Sequence, residues 1–339
     1  MGGKRNFAKT KFIFKVKTDN LGTYTTLDTQ FQLPLQIGST VRATVDWGDG
    51  SSDFITAYDQ TEILHTYSVL GTYTISISGT LNGFSFGKSG LPRQVDPEKA
   101  IELLNWGIFE MDSVRGAFNG CTNLIYSAID KPRITTTDIG GLFNGNFAVG
   151  DMDLTNWNVS SVTDMDGVWY NRDAVTLNLT GWDTSNVTNM DFMFGQMQRL
   201  TTVIGINDLD VSNVTTMLEM FSYRDSSDMV SLDLSNWDTS SLLSVGDMFD
   251  GRLGLASLDI ASWQVSQITN FGGFMRNCAG MTTPQYDATL IAWDAQGAFA
   301  TSDILDFGGS VYTLGGAAET ARTSLISKTG GSIIDGGGV

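Results

Sequence analysis

The chain has 339 residues, of which 41% are hydrophobic, 38 are glycine and only 5 are proline, so it can form a large core with many tight turns. Its 20 Lys and Arg residues against 37 Asp and Glu residues give a net charge of −17. This charge repels phosphate backbones and argues against nucleic acid as a partner. No apolar run is long enough to span a bilayer, so we expect no membrane insertion.

Residues 1–85 are predicted to form an all-β domain. The segments "FIFKV", "FQLPLQI", "VRATVDWGDG" and "GTYTISISG" alternate apolar and polar residues between turns rich in Gly and Asp. The string "VDWGDGSS" and the later "LHTYSVLGTYTISISG" resemble PKD domains, which are immunoglobulin-like β-sandwiches that act as spacers or adhesion modules. The matching positions are Asp46, Trp47, Gly48, Asp49, Gly50, His65, Tyr67, Gly71, Tyr73 and Thr74. Residues 86–99 are then expected to be a linker.

Two features of this first domain are candidate sites with a simpler structural interpretation. Asp46, Asp49 and Asp53 supply oxygen ligands that Ca²⁺ prefers, but aspartates in such turns commonly accept hydrogen bonds from backbone amides. His65 is the only histidine, and a catalytic base needs an oriented partner and a nucleophile. We therefore favour structural hydrogen bonds for all four residues.

Residues 100–284 contain seven copies of one sequence repeat. Five tryptophans each precede a bulky residue by twelve positions, and Lys131 and Leu209 keep the same spacing without the tryptophan. The seven anchor positions, separated by 25 to 28 residues, are Trp106, Lys131, Trp157, Trp182, Leu209, Trp237 and Trp263. The bulky residues twelve positions later are Phe118, Phe143, Trp169, Phe194, Phe221, Phe249 and Met275.

In each repeat, the spacing of the apolar residues changes at the anchor. Apolar residues five and three positions before the anchor, such as Leu232 and Leu234, predict a short strand. After the anchor, apolar residues at positions 5, 8, 11 and 12, as in Val187 to Phe194, predict a short helical arc. One strand and one arc per roughly 26 residues predict a leucine-rich-repeat type β/α solenoid, whose copies bury each other's apolar edges. The repeated Trp and Met residues are expected to be core rather than sugar-stacking or metal-binding groups.

The repeats resemble a known family. The pattern "LDLSNWDTSS" followed by a Met-Phe pair is similar to the BspA-like, mycoplasma-type leucine-rich repeats of bacterial surface proteins, and it extends from about Ala100 to Thr283. The copies at Lys131 and Leu209 depart from the pattern because they lack the tryptophan. The resemblance implies display at a surface and binding, as in adhesins, and does not name a ligand.

Residues 285–339 are predicted to cap the repeats. "YDATLIAWDAQ" and "AAETARTSLISKTG" have helical spacing, and "DILDFGG" and "SIIDGG" are typical of short strands. The expected fold is thus an immunoglobulin-like sandwich, a seven-repeat solenoid and an α/β cap. Six strand spacings would place Cys121 and Cys278 about 29 Å apart, so they are expected to be unpaired and buried.

The outward-facing residue of each predicted strand lies four positions before the anchor, and we call this set the strand face. It comprises Glu102, Ser127, Asp153, Asn178, Gly205, Asp233 and Asp259, around which the seven strands should form one parallel ladder. The predicted binding residues are Glu102, Asp153, Asn178, Asp233 and Asp259. No cofactor is required, but Asp233 and Asp259 are a candidate Ca²⁺ pair because adjacent carboxylates repel one another. The alternative is a merely solvated face.

These features predict a non-catalytic recognition protein located on a virion or at the extracellular or cell surface. No phosphate-binding loop, metalloprotease motif or paired Cys motif occurs, and the N-terminus lacks the apolar core of a secretion signal. The leading hypothesis is a phage or virus structural protein (fibre, tail-tip or head-decoration) that contacts a host receptor or another virion protein. The alternatives are a bacterial cell-surface adhesin whose export signal is absent from this sequence, and a polysaccharide-acting enzyme. A homo-oligomer is compatible with the sequence.

Replacing Asp233 and Asp259 together by Asn tests the strand face. If the pair binds Ca²⁺, the melting temperature of the native chain rises on Ca²⁺ addition and that of the double variant does not, because the carboxylate ligands are gone. Thermal unfolding with and without Ca²⁺ measures this, together with attachment to a host or partner. Unchanged behaviour in both assays would mean that the face is only solvated.

Overall fold

The computed structural model of the chain describes residues 11–22, 26–87, 95–107, 110–111, 115–145, 151–223 and 228–339. Over these residues the chain consists mainly of short β-strands, with two α-helices. It divides into two compact units, Met1–Met152 and Asp153–Val339, each of which has its own core.

The first unit is built around a six-stranded sheet. The strands among its described residues are β1 (Phe12–Lys17), β2 (Gln30–Gln32), β3 (Val41–Asp46), β4 (Ser52–Ile55), β5 (Leu64–Thr66), β6 (Thr72–Leu81), β7 (Ala100–Asn105), β8 (Glu110–Met111), β9 (Ile125–Tyr126) and β10 (Arg133–Ile134). The large sheet has the order β4-β3-β6-β1-β7-β9, and β2-β5 and β8-β10 form two small sheets. Alternate residues of β1 are buried, as its alternating sequence predicts.

The first predicted repeat strand belongs to this N-terminal sheet. β7 pairs antiparallel with β1, with Lys15 opposite Glu102, and β9 pairs parallel with β7. The contacts therefore continue from the predicted sandwich into the first repeats, and the division of the structure falls after Met152. The predicted domain boundaries at residues 85, 99 and 284 stay predictions.

The second unit contains several small parallel sheets and both helices. Its elements are β11 (Met152–Asp153), β12 (Thr176–Asn178), β13 (Thr202–Ile204), β14 (Ser231–Asp233), β15 (Ser257–Asp259), α1 (Thr283–Asp294), β16 (Leu305–Asp306), β17 (Val311–Tyr312), α2 (Ala317–Thr329), β18 (Ile333–Ile334) and β19 (Gly337–Gly338). They form the sheets β11-β12-β13, β14-β15, β16-β18 and β17-β19. Successive repeat strands pair in parallel and in register, as Leu177 with Val203 and Leu232 with Leu258.

The predicted fold class, a sandwich followed by a leucine-rich-repeat β/α solenoid with an α/β cap, is wrong. The repeat strands do not form one ladder, because they are distributed over several separate sheets and β13 does not pair with β14. The expected helical arcs are turns, and within the described ranges the first α-helix begins only at Thr283, after the repeats. Over its described residues the protein is instead a mostly β structure of several small sheets with two α-helices.

Backbone conformation at one repeat position explains why the arcs are not helical. Ten residues after the anchor, every copy has a left-handed backbone with φ between 50° and 67°. The seven residues are Gly116, Gly141, Gly167, Phe192, Glu219, Asp247 and Gly273. A right-handed helix cannot contain such a residue. The arc, positions 5 to 14 after the anchor, is therefore a series of turns, and part of its N–H groups must find acceptors outside it.

Alternate residues of the arcs donate hydrogen bonds to the next repeat, and the residues between them close turns within the arc, as the Gly195 N–H does with the Phe192 carbonyl over 2.9 Å. The backbone N–H groups of Met165, Met190 and Met217 donate to carbonyl oxygens of the following repeat over 2.9 to 3.0 Å. Isolated parallel bridges continue this row through five repeats, at Asp164, Asn189, Thr216, Ser244 and Asn270. Each copy thus supplies the hydrogen-bond acceptors that its neighbour needs, which satisfies the buried backbone without a helix.

Aromatic rings form the core inside the arcs. Trp169, Phe194, Phe221 and Phe249 are fully buried, and successive rings stack with centroids 5.2 to 5.6 Å apart. The predicted burial of the repeated tryptophans and methionines is confirmed. Cys121 and Cys278 are free and buried, also as predicted.

The tryptophan indoles join neighbouring repeats. The indole N–H of Trp182 donates to the Leu154 carbonyl over 2.8 Å, and that of Trp263 donates to the Leu234 carbonyl over 3.3 Å. Trp293, which lies in helix α1, makes the same kind of bond to the Ile260 carbonyl over 3.1 Å. Helix α1 therefore continues the contact that the next anchor tryptophan would make.

Replacing Gly141 by Ala tests the left-handed arc. A Cβ there has no neighbour closer than 3.8 Å, so only the φ of +62° opposes it, and we expect a loss of about 1–2 kcal/mol in the free energy of unfolding. Gly272→Ala is the matched control, because its Cβ also has room and its φ is not left-handed. Chemical denaturation measures both variants. A helical arc would give the opposite sign, since Ala is preferred to Gly in helices.

Candidate recognition site

Several of the predicted strand-face residues form an ion pair or hydrogen bonds that hold their side chains in place. Glu102 forms an ion pair with Lys15 at 2.7 Å, and this hydrogen bond, with one from Ser127, lowers the pKa of Glu102. Asp153, Asn178 and Asp233 each accept a hydrogen bond of 3.0 to 3.1 Å from the backbone N–H two residues later. These side chains therefore stabilise the turns that follow the strands.

The structure brings Asp233 and Asp259 opposite each other in β14 and β15. The side chain and backbone N–H of Ser235 donate hydrogen bonds to Asp233 and lower its pKa. Over the residues that the structure describes, no group of three or more His, Cys, Asp or Glu side chains is placed to hold a metal ion. Calcium binding by the Asp233 and Asp259 pair stays a prediction.

The aspartates of the first unit follow the structural interpretation. Asp46 accepts a hydrogen bond from the Gly48 N–H, and Asp53 accepts one from the Trp47 indole. Burial alone would raise the pKa of Asp49, but hydrogen bonds from Ser51 and His65 outweigh it and lower the pKa to about 2. The His65 ring stacks on Trp47 with centroids 4.7 Å apart, so the histidine contributes to packing and to the turn.

A polar groove of about 340 Å³ lies over the arcs of the second unit. Five consecutive repeats, anchored at 157, 182, 209, 237 and 263, contribute one to three side chains each from positions 10, 13 and 14. The lining residues are Tyr170, Gln196, Glu219, Ser222, Tyr223, Asp247, Asp250 and Arg276. We call this feature the arc groove. Its volume lies in the range of small-ligand sites in proteins.

The charges of the arc groove are unevenly paired. Arg276 lies 2.8 Å from Asp247 and 2.6 Å from Asp250, and the hydrogen bond to Asp250 raises the pKa of the guanidinium. Glu219 accepts a hydrogen bond from the Ser222 hydroxyl over 3.2 Å, whereas Arg276, the basic residue among those that line the groove, pairs with the two aspartates. Three carboxylates against one guanidinium leave the groove negative.

Tyr170 supplies a hydrogen-bond donor beside Glu219. Burial first, and then the charge of Glu219, raise the pKa of Tyr170, so its hydroxyl keeps its proton at neutral pH. Its ring contacts Phe192 edge to face with centroids 5.8 Å apart, which fixes its position at the groove. The groove can therefore both donate and accept hydrogen bonds.

Sequence reasoning missed the arc groove because it assigned the arcs to helices. A signal was nevertheless present, since Gly occupies position 10 in the copies anchored at 106, 131, 157 and 263. A recurrent Gly inside a supposed helix indicates a left-handed residue. At the same position Glu219 and Asp247 carry polar side chains that line the groove.

Among the described elements, no helix is long and apolar enough to cross a membrane.

A family model described as "Mycoplasma protein of unknown function, DUF285" matches residues 112–228 and 201–306, which is more than half of the chain and lies mainly in the repeats. No curated protein and no solved structure matches the chain. The comparisons thus support the BspA-like repeat resemblance in general and confirm neither the PKD-like domain nor the leucine-rich-repeat assignment.

Asp191 allows a pH test of how the repeats are held together. Burial raises the pKa of Asp191 despite hydrogen bonds from Thr216 and Leu218 of the next repeat. Because the folded-state pKa is raised, stability is lost as pH rises above the unfolded pKa near 3.8. We expect Asp191→Asn to be more stable than the native chain at pH 7 and equal to it below about pH 4.

Asp183→Asn is the matched control with the opposite sign. Hydrogen bonds from Ser185 lower the pKa of Asp183, so its contribution is present above the unfolded pKa and is lost as the solution is acidified. This variant should lose stability at pH 7 and converge with the native chain in acid. Thermal melts across the pH range measure both variants. The same sign of change at pH 7 for the two would contradict the assignment.

Proposed function

The chain belongs to the DUF285 family of Mycoplasma proteins of unknown function, and from this premise we propose that it is a recognition protein without catalytic activity. Membership indicates a surface-associated repeat protein. The observation that carries the recognition role is the arc groove, in which five repeats present polar side chains around one concavity. Several stacked copies can share a binding surface that no single copy could form.

The chemistry of the arc groove favours a polar ligand that carries positive charge. Glu219 offers a carboxylate that no basic groove residue pairs, and Tyr170 offers a protonated hydroxyl beside it. Tyr223 adds a second aromatic side chain, whose ring centroid lies 5.9 Å from the guanidinium carbon of Arg252. An ammonium group or a hydroxyl-rich molecule bearing one would be bonded by Glu219 and Tyr170 together.

The arrangement of carboxylates argues against hydrolysis of polysaccharides. Such enzymes use two carboxyl groups, one of which must hold a proton to act as a general acid. In the arc groove, Asp247 and Asp250 both form ion pairs with Arg276, so neither carboxylate is free to approach a glycosidic oxygen. The carboxyl group with a raised pKa, Asp191, bonds to the neighbouring repeat, so it supports the stack of repeats.

We place the protein at a bacterial cell surface, with a host surface receptor as partner. The family match favours this location, and the comparisons give no support to a phage or virus structural role. The net charge of −17 again argues against nucleic acid. Mass spectrometry of the cell envelope and of purified virions separates the two locations, since the protein should be recovered from the envelope alone.

Binding to arrays of glycans and basic peptides tests the recognition role. We expect the purified chain to retain a cationic ligand, and Glu219→Gln to weaken that binding about tenfold or more, because the unpaired carboxylate is lost. Asp210→Asn is the matched control: Asp210 is exposed in the same repeat and holds the Ser212 turn outside the groove. Equal losses in both variants, or no retained ligand, would contradict the proposal. Release of reducing ends from any glycan would support an enzyme instead.

A further inference from the structure

The parallel pairing of repeat strands stops at one place in the second unit. β12 pairs with β13, and β14 pairs with β15, but β13 and β14 belong to different sheets. The register of the neighbouring pairs places Val203 opposite Leu177 and Leu232 opposite Leu258. A continuous ladder would therefore pair Val203 with Leu232, and this pairing is missing.

The copy before the interruption differs from the others in the turn after its strand. In this copy, which is anchored at Leu209 and lacks the tryptophan, Gly205 follows β13 with a left-handed φ of 81° and starts the 3₁₀ turn Ile206–Asp208. β13 itself has three residues, like β12, β14 and β15. The two repeats remain joined on either side of the gap, by the Trp237 indole bond to the Ile206 carbonyl and the Met217 bond to the Ser244 carbonyl. Only the strands separate.

Backbone groups of both strands point into the gap. Alternate residues of a parallel strand bond to opposite neighbours. Ile204 accepts a bond from the Leu179 N–H in β12's repeat, so the adjacent Val203 faces the other way, toward the gap. Asp259 accepts a bond from the Leu234 N–H, and by the same alternation Asp233 faces the gap.

Ser231 follows the same rule on β14. The Ser257 N–H donates to the Val230 carbonyl, so the N–H and C=O of Ser231, the next residue, point away from β15. Among the described residues, no backbone partner joins these gap-facing groups of Val203, Ser231 and Asp233. The two strand edges thus present unpaired donors and acceptors to one space.

That space is a cleft of about 270 Å³, which we call the strand cleft. Water reaches the core beside it: Val203, Ile206 and Leu232 are 6 to 7% exposed, whereas the equivalent Leu177 and Leu258 of closed strand pairs are 0% exposed. The cleft is therefore open to solvent and a ligand can enter it.

We propose that the strand cleft binds an extended, basic peptide segment of a partner protein. Such a segment can hydrogen-bond to an exposed strand edge, as in other complexes where a peptide strand is added to a sheet. Asp208 and Asp233 line the cleft, and none of its described lining residues is basic, so a Lys or Arg side chain complements it. The inference rests on the proposed recognition role but uses a surface separate from the arc groove.

The probe is the blocked peptide acetyl-Thr-Lys-Val-Lys-Thr-amide, added to the full chain and followed by amide hydrogen exchange. In the free protein the amides of Val203, Ser231 and Asp233 should exchange faster than those of Ile204 and Leu232, which face paired strands. The peptide should slow the first three by about tenfold or more, because they become hydrogen-bonded. Slow exchange of Val203 in the free protein would overturn the proposal, since the cleft would then be closed.

Variants of peptide and protein separate backbone pairing from charge attraction. Methylating alternate peptide nitrogens should abolish binding, and replacing both Lys by Glu should abolish it as well. Ser231→Pro removes a gap-facing N–H at the first residue of β14, a place where proline is tolerated. It should weaken binding without lowering the melting temperature.

Asp233→Asn should also weaken binding, whereas Asp259→Asn, the equivalent carboxylate one repeat on and outside the cleft, should not. Equal binding of the methylated peptide, or equal effects of the two Asp variants, would overturn the proposal. The Glu219→Gln variant separates a failure of the strand-cleft proposal from a failure of the proposed recognition role, because Glu219 lies in the arc groove. Peptide binding that survives this variant belongs to the strand cleft, and a chain that retains its array ligand but not the peptide contradicts only the present inference.

Discussion

The structure of the repeats depends on one constraint, the left-handed backbone ten residues after each anchor. Because a right-handed helix cannot pass through that residue, alternate N–H groups of the arc donate to the next repeat, as that of Met190 does to the Thr216 carbonyl. The stacked rings from Trp169 to Phe249 then fill the space inside the arcs. Neighbouring copies thus share hydrogen bonds and packing, and an isolated copy would lose the inter-repeat bonds and the stacked core.

The same constraint places the candidate recognition site. Where position 10 is Gly, as in Gly167, it contributes no side chain, but Glu219 and Asp247 hold the left-handed conformation with polar side chains that line the arc groove. A non-glycine residue in this conformation costs on the order of 1–2 kcal/mol. The left-handed backbone at Glu219 and Asp247 is therefore unfavourable by itself, but it places two carboxylates in the arc groove, where they contribute to its negative charge.

The strand side and the arc side of each repeat respond differently to a changed unit. The copy at Leu209 lacks the tryptophan and contains Gly205 and a 3₁₀ turn, and the strand pairing is interrupted beside it at the strand cleft. The arc row continues without interruption through Thr216 and Ser244. Two surfaces with different chemistry result, a negative groove of side chains and a cleft of unpaired backbone groups, and both suit a protein that binds partners.

The sequence by itself determined the period of the repeats, the burial of the tryptophans and methionines, the unpaired cysteines and the turn role of Asp49. These follow from residue type and spacing, because apolar side chains at a fixed period must share one core. It did not determine the helix-free arcs or the separate sheets, since apolar spacing reports which face is buried and not the sign of φ. Only the tertiary structure decided which side chains of five repeats share the arc groove and where β13 and β14 part, because both depend on the register between neighbouring copies.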